Sequence, residues 1–143
     1  MRTRLPLGLA ALLVLVPGCG SRFAAVSGKV TLNGQPLANA TVSFQPVAPP
    51  GSKDPGPGSQ AKTNEKGEFT LQTSTGQNGA VVGTHRVSII ALDPQVGEGD
   101  ARPPRGGWPL ADKVPPRYNA NTTLSFEVPS GGTDKADFAL TAP

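Results

Sequence analysis

Apolar and polar residues alternate most clearly in the segment Val26-Ser-Gly-Lys-Val-Thr-Leu-Asn-Gly-Gln-Pro-Leu-Ala-Asn-Ala-Thr-Val-Ser-Phe44. Between Val26 and Leu32 every second residue is apolar or Gly, which is the pattern of a half-buried β-strand. Asn33-Gly34 interrupts this pattern and is typical of a tight turn whose central residues take positive φ angles. A second inward-facing set follows from Ala40 to Phe44. The segment therefore predicts two strands separated by a tight turn and a short excursion.

The same alternation recurs in the rest of the chain. Further strands are expected at 61–63, 69–71, 85–91, 124–128 and 136–140. We expect the first two of these to form a hairpin around Asn64-Glu-Lys-Gly67, and the last two to pair in antiparallel orientation. No segment has the apolar spacing of a long helix. The seven expected strands predict an all-β fold, a seven-stranded antiparallel β-sandwich with Ig-like Greek-key connections.

Gly and Pro account for 18 and 16 of the 143 residues, about twice their combined average share. Many of them lie in two stretches without apolar periodicity, about 47–59 and 93–121, which are expected to be irregular loops. The chain is 36% apolar and 16% charged, so it holds enough apolar side chain for one core, and we expect one domain over 26–141. Four Phe residues at inward positions are expected to fill that core: Phe44, Phe69, Phe126 and Phe138.

The N-terminal residues have the pattern of a bacterial lipoprotein signal. Arg2 and Arg4 precede an apolar run over 5–16, which is shorter than the ~20 residues that a membrane-spanning helix needs. The run ends at Val16-Pro-Gly-Cys19, which resembles the lipobox, where a cysteine receives diacylglycerol before cleavage. We therefore expect 1–18 to be a signal peptide, Cys19 to be lipidated, and 19–25 to be a tether. The alternative for Cys19 is an unmodified thiol.

Lipidation would make the membrane a partner of this protein through its anchor. In lipoproteins of two-membrane bacteria, an Asp after the cysteine signals retention in the inner membrane, so Gly20 favours the outer membrane. The formal net charge of the whole chain is +3, but loss of Arg2 and Arg4 leaves 11 basic and 10 acidic residues. Without a dense basic run, nucleic acid is not an expected partner. Beside the membrane, the partners that we expect are an envelope polysaccharide or another envelope protein.

Three segments, 26–44, Thr63-Asn-Glu-Lys-Gly-Glu-Phe-Thr-Leu71 and Gly83-Thr-His-Arg-Val-Ser-Ile89, together resemble the carboxypeptidase regulatory-like, transthyretin-like modules. Val114-Pro-Pro-Arg-Tyr118 is similar to the tail of such modules in small lipoproteins of planctomycete-type bacteria. The resemblance covers about 26–141 and implies a prealbumin-like sandwich without a defined activity. Asn64 stands where many of these modules have Asp, so a cation at that turn is not expected.

Candidate functional residues are few, because the chain has one Cys and one His. These counts exclude an internal disulfide and a Cys-based metal cluster, and they remove most zinc and His-rich catalytic designs, so no cofactor is expected. His85, at a position where the resembled modules have an aromatic residue, is expected to be packed; as a general base it would need a neighbouring nucleophile or carboxylate.

The irregular segment 93–121 holds the one Trp and the one Tyr of the chain. Aromatic and Arg side chains provide much of the binding energy at interfaces. The candidate ligand or partner contacts there are Trp108, Tyr118, Arg105 and Arg117. The alternative is that Trp108 covers an open sheet edge. Three functions follow: a non-enzymatic envelope lipoprotein as the leading hypothesis, a carbohydrate-binding lipoprotein that uses 93–121, and a hydrolase that uses His85.

Overall fold

The structure, a computed structural model, describes residues 22–93 and 111–143. In these residues the chain is all-β, with one short 3₁₀ helix at Pro116–Tyr118. The strands are β1 (Phe23–Ala24), β2 (Ser27–Leu32), β3 (Gln35–Pro36), β4 (Thr41–Pro46), β5 (Ser59–Lys62), β6 (Glu68–Thr70), β7 (Gln72–Thr73), β8 (Ala80–Val81), β9 (Gly83–Ile90), β10 (Leu92–Asp93), β11 (Ala111–Asp112), β12 (Ser125–Val128) and β13 (Phe138–Leu140).

The larger sheet has five antiparallel strands in the order β12-β9-β4-β5-β7. Its longest ladder joins β4 to β9, from the pair Thr41 and Ile90 to the pair Pro46 and His85. Along both strands, residues that face the core alternate with more exposed ones, as the period of two requires.

The second sheet is built around β2, which pairs with β3 and β6 in antiparallel orientation and with β13 in parallel orientation. The prediction that the last two strands pair with each other is therefore wrong. After β12 the chain turns at 129–132, and Thr133 then exchanges hydrogen bonds with the backbone of Ala25 and Ser27. These bonds direct the chain alongside β2 in the same direction, so β13 joins the second sheet as a parallel strand.

The turn at 64–67 connects the two sheets and does not close a hairpin. The Asn64 Oδ1 accepts hydrogen bonds of 2.9 Å from the backbone N–H groups of Lys66 and Glu68, so the turn forms as its sequence suggests. However, β5 pairs with β4 and β7, whereas β6 pairs with β2. Gly67 has a φ angle of +75°, and a Cβ there would lie 2.4 Å from the Val30 carbonyl oxygen. The expected hairpin of 61–63 with 69–71 is therefore corrected to a crossover.

The turn at Asn33-Gly34 agrees with its prediction. Both residues have positive φ angles, 51° for Asn33 and 81° for Gly34. Leu32 pairs with Gln35 on the other side of the turn, which makes it a two-residue hairpin. The short strand β3 is the excursion, and the chain then crosses to β4 in the larger sheet.

The two sheets share one hydrophobic core. The Phe44 side chain of the larger sheet is fully buried, and its ring centroid lies 6.0 Å from that of Phe138 in the second sheet. Phe126 contacts both rings, and Phe69 stacks on Phe138. Three of the four predicted core Phe residues are buried, whereas Phe126, on an edge strand, is half-buried.

The strands run between two ends of the domain. At one end, Val82 donates a backbone hydrogen bond to the Arg22 carbonyl, and the strand-free segment 47–58 lies next to Gly83. We call this the entry end, because Arg22, the first described residue, lies there. The far end carries the Asn33-Gly34 turn, Ile90 and the pair β10 and β11, through which 94–110 joins the fold. The eight residues of β9 run between the two ends, a length of about 23 Å.

Strand β1 begins at Phe23 and pairs with β8, so the described part of the predicted tether 19–25 is integrated into the fold. The predicted irregular loop 93–121 is described at its two ends. Strand β10 ends at Asp93, and strand β11 and the 3₁₀ helix lie within 111–121. In residues 22–93 and 111–143, no helix is long and apolar enough to cross a membrane.

The Phe44 contacts predict a large effect on stability. Phe44→Ala should lower the free energy of unfolding by about 3–5 kcal/mol, because it removes a fully buried ring that touches both sheets. Phe126→Ala, at a half-buried ring of the same size, should cost less. Urea unfolding of both variants measures the difference, with Phe44→Leu as a milder substitute if Phe44→Ala does not fold. Equal losses for Phe44→Ala and Phe126→Ala would contradict the central position of Phe44.

Candidate functional site

Three of the predicted site residues, Cys19, Arg105 and Trp108, lie outside the residues that the structure describes. The other two, Arg117 and Tyr118, belong to the 3₁₀ helix at the far end. Arg117 is exposed and Tyr118 is half-buried, with its ring packed against the edge of the hydrophobic core.

Arg117 and Tyr118 both hold the segment that follows β13. The Tyr118 hydroxyl accepts a 3.2 Å hydrogen bond from the backbone N–H of Thr141 and lies 3.2 Å from the Thr141 hydroxyl. The Arg117 Nη2 donates to the carbonyl and hydroxyl oxygens of Thr141. The Arg117 guanidinium also lies 4.9 Å from the centroid of the Tyr118 ring, which covers one ring face. The two side chains thus bind the chain's own C-terminal segment.

The same contacts lower the pKa of Tyr118 to about 8. The largest cause is the hydrogen bond with the Thr141 side chain, followed by the Thr141 backbone N–H and by Arg117, all of which favour the phenolate. In the folded protein the phenolate therefore forms at a lower pH than it does in a tyrosine with the ordinary pKa of 10.0. The free energy of unfolding should therefore rise with pH between about 8 and 10, the folded and unfolded pKa values.

A pH titration of tyrosinate absorbance in the near ultraviolet tests this contact, because Tyr118 is the one Tyr in the chain. The apparent pKa should be about 8, and Thr141→Val should raise it toward 10.0 since it removes the first of the three causes. Thr123→Val, at an exposed threonine elsewhere on the surface, is the matched control and should leave the pKa unchanged. A Tyr118 pKa near 10 in the wild-type protein would contradict the contact.

His85 lies on the inward face of β9, and its side chain is fully buried. Its Nδ1 lies 3.0 Å from the Gly83 carbonyl oxygen, so Nδ1 carries the proton and donates in the neutral ring. The ring packs against Phe44 at a centroid distance of 5.6 Å. Its Nε2 has no hydrogen-bond partner among the described residues. This geometry makes His85 a packed side chain of the core.

Burial lowers the pKa of His85 below 6.5, because the desolvation of the imidazolium outweighs the opposing effects of the Gly83 carbonyl and the Glu127 charge. The Glu127 carboxylate itself accepts a 2.7 Å hydrogen bond from the Thr84 hydroxyl. At neutral pH the imidazole is therefore neutral. No hydroxyl, thiol or carboxylate in the described residues forms a hydrogen bond with its ring.

The lowered pKa predicts a loss of stability in acid. The unfolded chain takes up a proton on His85 near pH 6.5, whereas the folded protein resists it, so stability is full above pH 6.5 and falls as the pH drops below that value. Urea unfolding between pH 7.5 and pH 5 should show this decline, with about the same free energy between pH 7 and pH 7.5. In His85→Phe the decline should be weaker. An NMR titration of this single His that gives a pKa at or above 6.5 would contradict the prediction.

A groove of about 540 Å³ lies at the entry end, between the segment 47–58 and strand β8. Its walls are mainly Val and Pro side chains: Pro46, Val47, Pro49, Pro50, Pro55, Val81 and Val82. Val47 is 53% exposed, which makes it the most exposed large apolar side chain described. At the rim the Arg22 guanidinium lies 3.9 Å from the Asp54 carboxylate, and Glu127 lies near Thr84.

The sequence patterns did not point to this groove. Its walls come from two segments more than 30 positions apart, around Val47 and Val81, which meet because β9 returns beside β4. The segment 47–59 has no apolar periodicity, so its Val and Pro residues gave no sign of a shared surface. The nearest available signal was the concentration of Pro between 46 and 57.

No group of three or more His, Cys, Asp or Glu residues in the described ranges is placed to hold a metal ion. No family model and no curated protein matches this chain. Among solved structures, a 9R-lipoxygenase from Cyanothece PCC8801 matches over 99% of this chain at 10% sequence identity, with a TM-score of 0.33. The chain spans 18% of the length of that lipoxygenase. The function is therefore inferred from the chain's own residues.

Proposed function

We propose that this protein is an envelope lipoprotein, anchored through Cys19, whose β-domain is a non-catalytic module for structure or binding. One observation carries the proposal: Val16-Pro-Gly-Cys19 follows an apolar run that is too short to span a membrane, and the folded part of the chain is fixed from Arg22, three residues after the cysteine. The acyl chains of a lipidated cysteine contribute roughly 0.8 kcal/mol per buried methylene, enough to hold a domain at a membrane. Gly20 favours the outer membrane.

We further propose that the domain is a seven-stranded, transthyretin-like sandwich. Its support is that each of the seven expected strands has a counterpart, namely β2, β4, β5, β6, β9, β12 and β13. The remaining strands are two residues long and extend these ladders or pair at the ends. The rings of Phe44 and Phe138 meet edge to face, one from each sheet, as is expected of the shared core of a sandwich.

The packing of His85 supports a module without catalysis over a hydrolase. A general base must reach the proton that it abstracts, and the His85 ring is fully buried between its own strand and Phe44. The far end carries Tyr118 and the strand pair β10 and β11, which directly precedes and follows 94–110 in the sequence. An envelope polysaccharide or envelope protein contacted by Arg117 or Tyr118 would therefore be met on the side away from the entry end.

Metabolic labelling with an alkyne analogue of palmitate tests the anchor. The wild-type protein should be labelled and should sediment with membranes, and Cys19→Ser should abolish both, because Cys19 is the one thiol in the chain. Ser21→Ala, two positions further on, is the matched control and should leave labelling and sedimentation unchanged. A Cys19→Ser protein that still carries label would contradict the proposed anchor.

A further inference from the structure

Few residues separate the proposed anchor, Cys19, from the folded domain. The Arg22 carbonyl accepts a 3.0 Å hydrogen bond from the Val82 N–H, and Phe23 and Ala24 pair with β8. Only Gly20 and Ser21 stand between Cys19 and the first fixed residue. Three extended residues span at most about 11 Å, so an acylated Cys19 would hold Arg22 within that distance of the lipid headgroups.

Arg22 also lines the groove at the entry end, so an acylated Cys19 would hold the groove close to the membrane surface as well. The groove has the composition that a lipid surface favours. Val47 presents an exposed apolar side chain, and the neighbouring Pro49 and Pro50 have no backbone N–H to desolvate on entering an apolar environment. Contact with lipid would therefore bury apolar surface at a small cost in lost hydrogen bonds to water.

The charges at the groove indicate which kind of lipid surface it fits. Among the described residues that line the groove, the charged ones are Arg22, which lies 3.9 Å from Asp54, and the two carboxylates Asp54 and Glu127. A groove with this balance has no net attraction for an anionic surface. It matches a zwitterionic headgroup, which carries a phosphate for the guanidinium and an ammonium for the carboxylates.

We propose that the groove at the entry end rests on the headgroup region of a zwitterionic phospholipid bilayer, with Val47 and the adjacent prolines against lipid. This inference rests on the proposed lipidation of Cys19. It goes further, because it assigns a second contact between protein and membrane and fixes the orientation of the domain. The long axis of β9 then points away from the bilayer, and the far end lies about 23 Å further out.

Fluorescence quenching on the lipidated full-length protein tests the proposal. Ser52→Cys places a thiol on the groove, and Glu65→Cys places a matched one on the exposed 64–67 turn. This turn lies at the far end, because it follows Lys62, and Lys62 and Ile90 both pair with Thr41. Each is labelled with the same environment-sensitive dye and reconstituted into phosphatidylcholine vesicles that carry a headgroup spin label. The dye at position 52 should be quenched several-fold more than the dye at position 65. Equal quenching at the two positions, or none at either, overturns the proposal.

Three further measurements separate the possible causes of a negative or positive result. A protein without acyl mass that does not float with the vesicles shows that the proposed anchor has failed, whereas a lipidated, floating protein with no difference in quenching shows that the groove contact alone is wrong. Val47→Asp should reduce quenching at position 52 without changing acylation. Quenching that requires anionic lipid, or that is lost in high salt, would contradict a zwitterionic fit.

Discussion

The contact of Phe44 with Phe138 is the constraint on which the rest of this structure depends. Each ring comes from a different sheet, and their centroids lie 6.0 Å apart in the shared core. Phe126 and His85 pack on Phe44 from the same sheet, and Phe69 packs on Phe138 from the other. An aromatic contact of this kind adds about 0.5–1.5 kcal/mol to the gain from burial alone, and here it joins the two sheets within the shared core.

The inward faces of the strands could be predicted from the sequence, because alternation states which side of a strand is buried. Their partners could not, because alternation does not say which strand lies alongside. The turns at 64–67 and 129–132 have the composition of hairpin turns, yet each leads the chain from one sheet to the other. The decisive interactions, such as the hydrogen bonds of Thr133 with Ala25 and Ser27, join residues more than 100 positions apart.

For the candidate site, the rare residues could be identified from the sequence, but the residues that they contact could not. Tyr118 and His85 are each the one residue of their type, which made them candidates. In the structure Tyr118 binds the Thr141 backbone, and His85 fills a position in the core, so both contact the fold's own residues. The groove was missed for the opposite reason: Val and Pro are common residues, and only the return of β9 beside β4 brings Val81 to Val47.

The point at which the chain enters the fold relates Arg22, the strands and the far end to one another. Because Arg22 is hydrogen-bonded to Val82 and no long linker precedes it after Cys19, an anchor at that cysteine would act on one defined end of the sheets. The rigidity of the paired strands then carries that constraint along β9 to the far end. Residues near Tyr118 would therefore be presented outward by the geometry of the sheet, whichever partner they meet. With the proposed anchor in place, the β-domain would act as a spacer that holds its far end in a fixed orientation to the membrane.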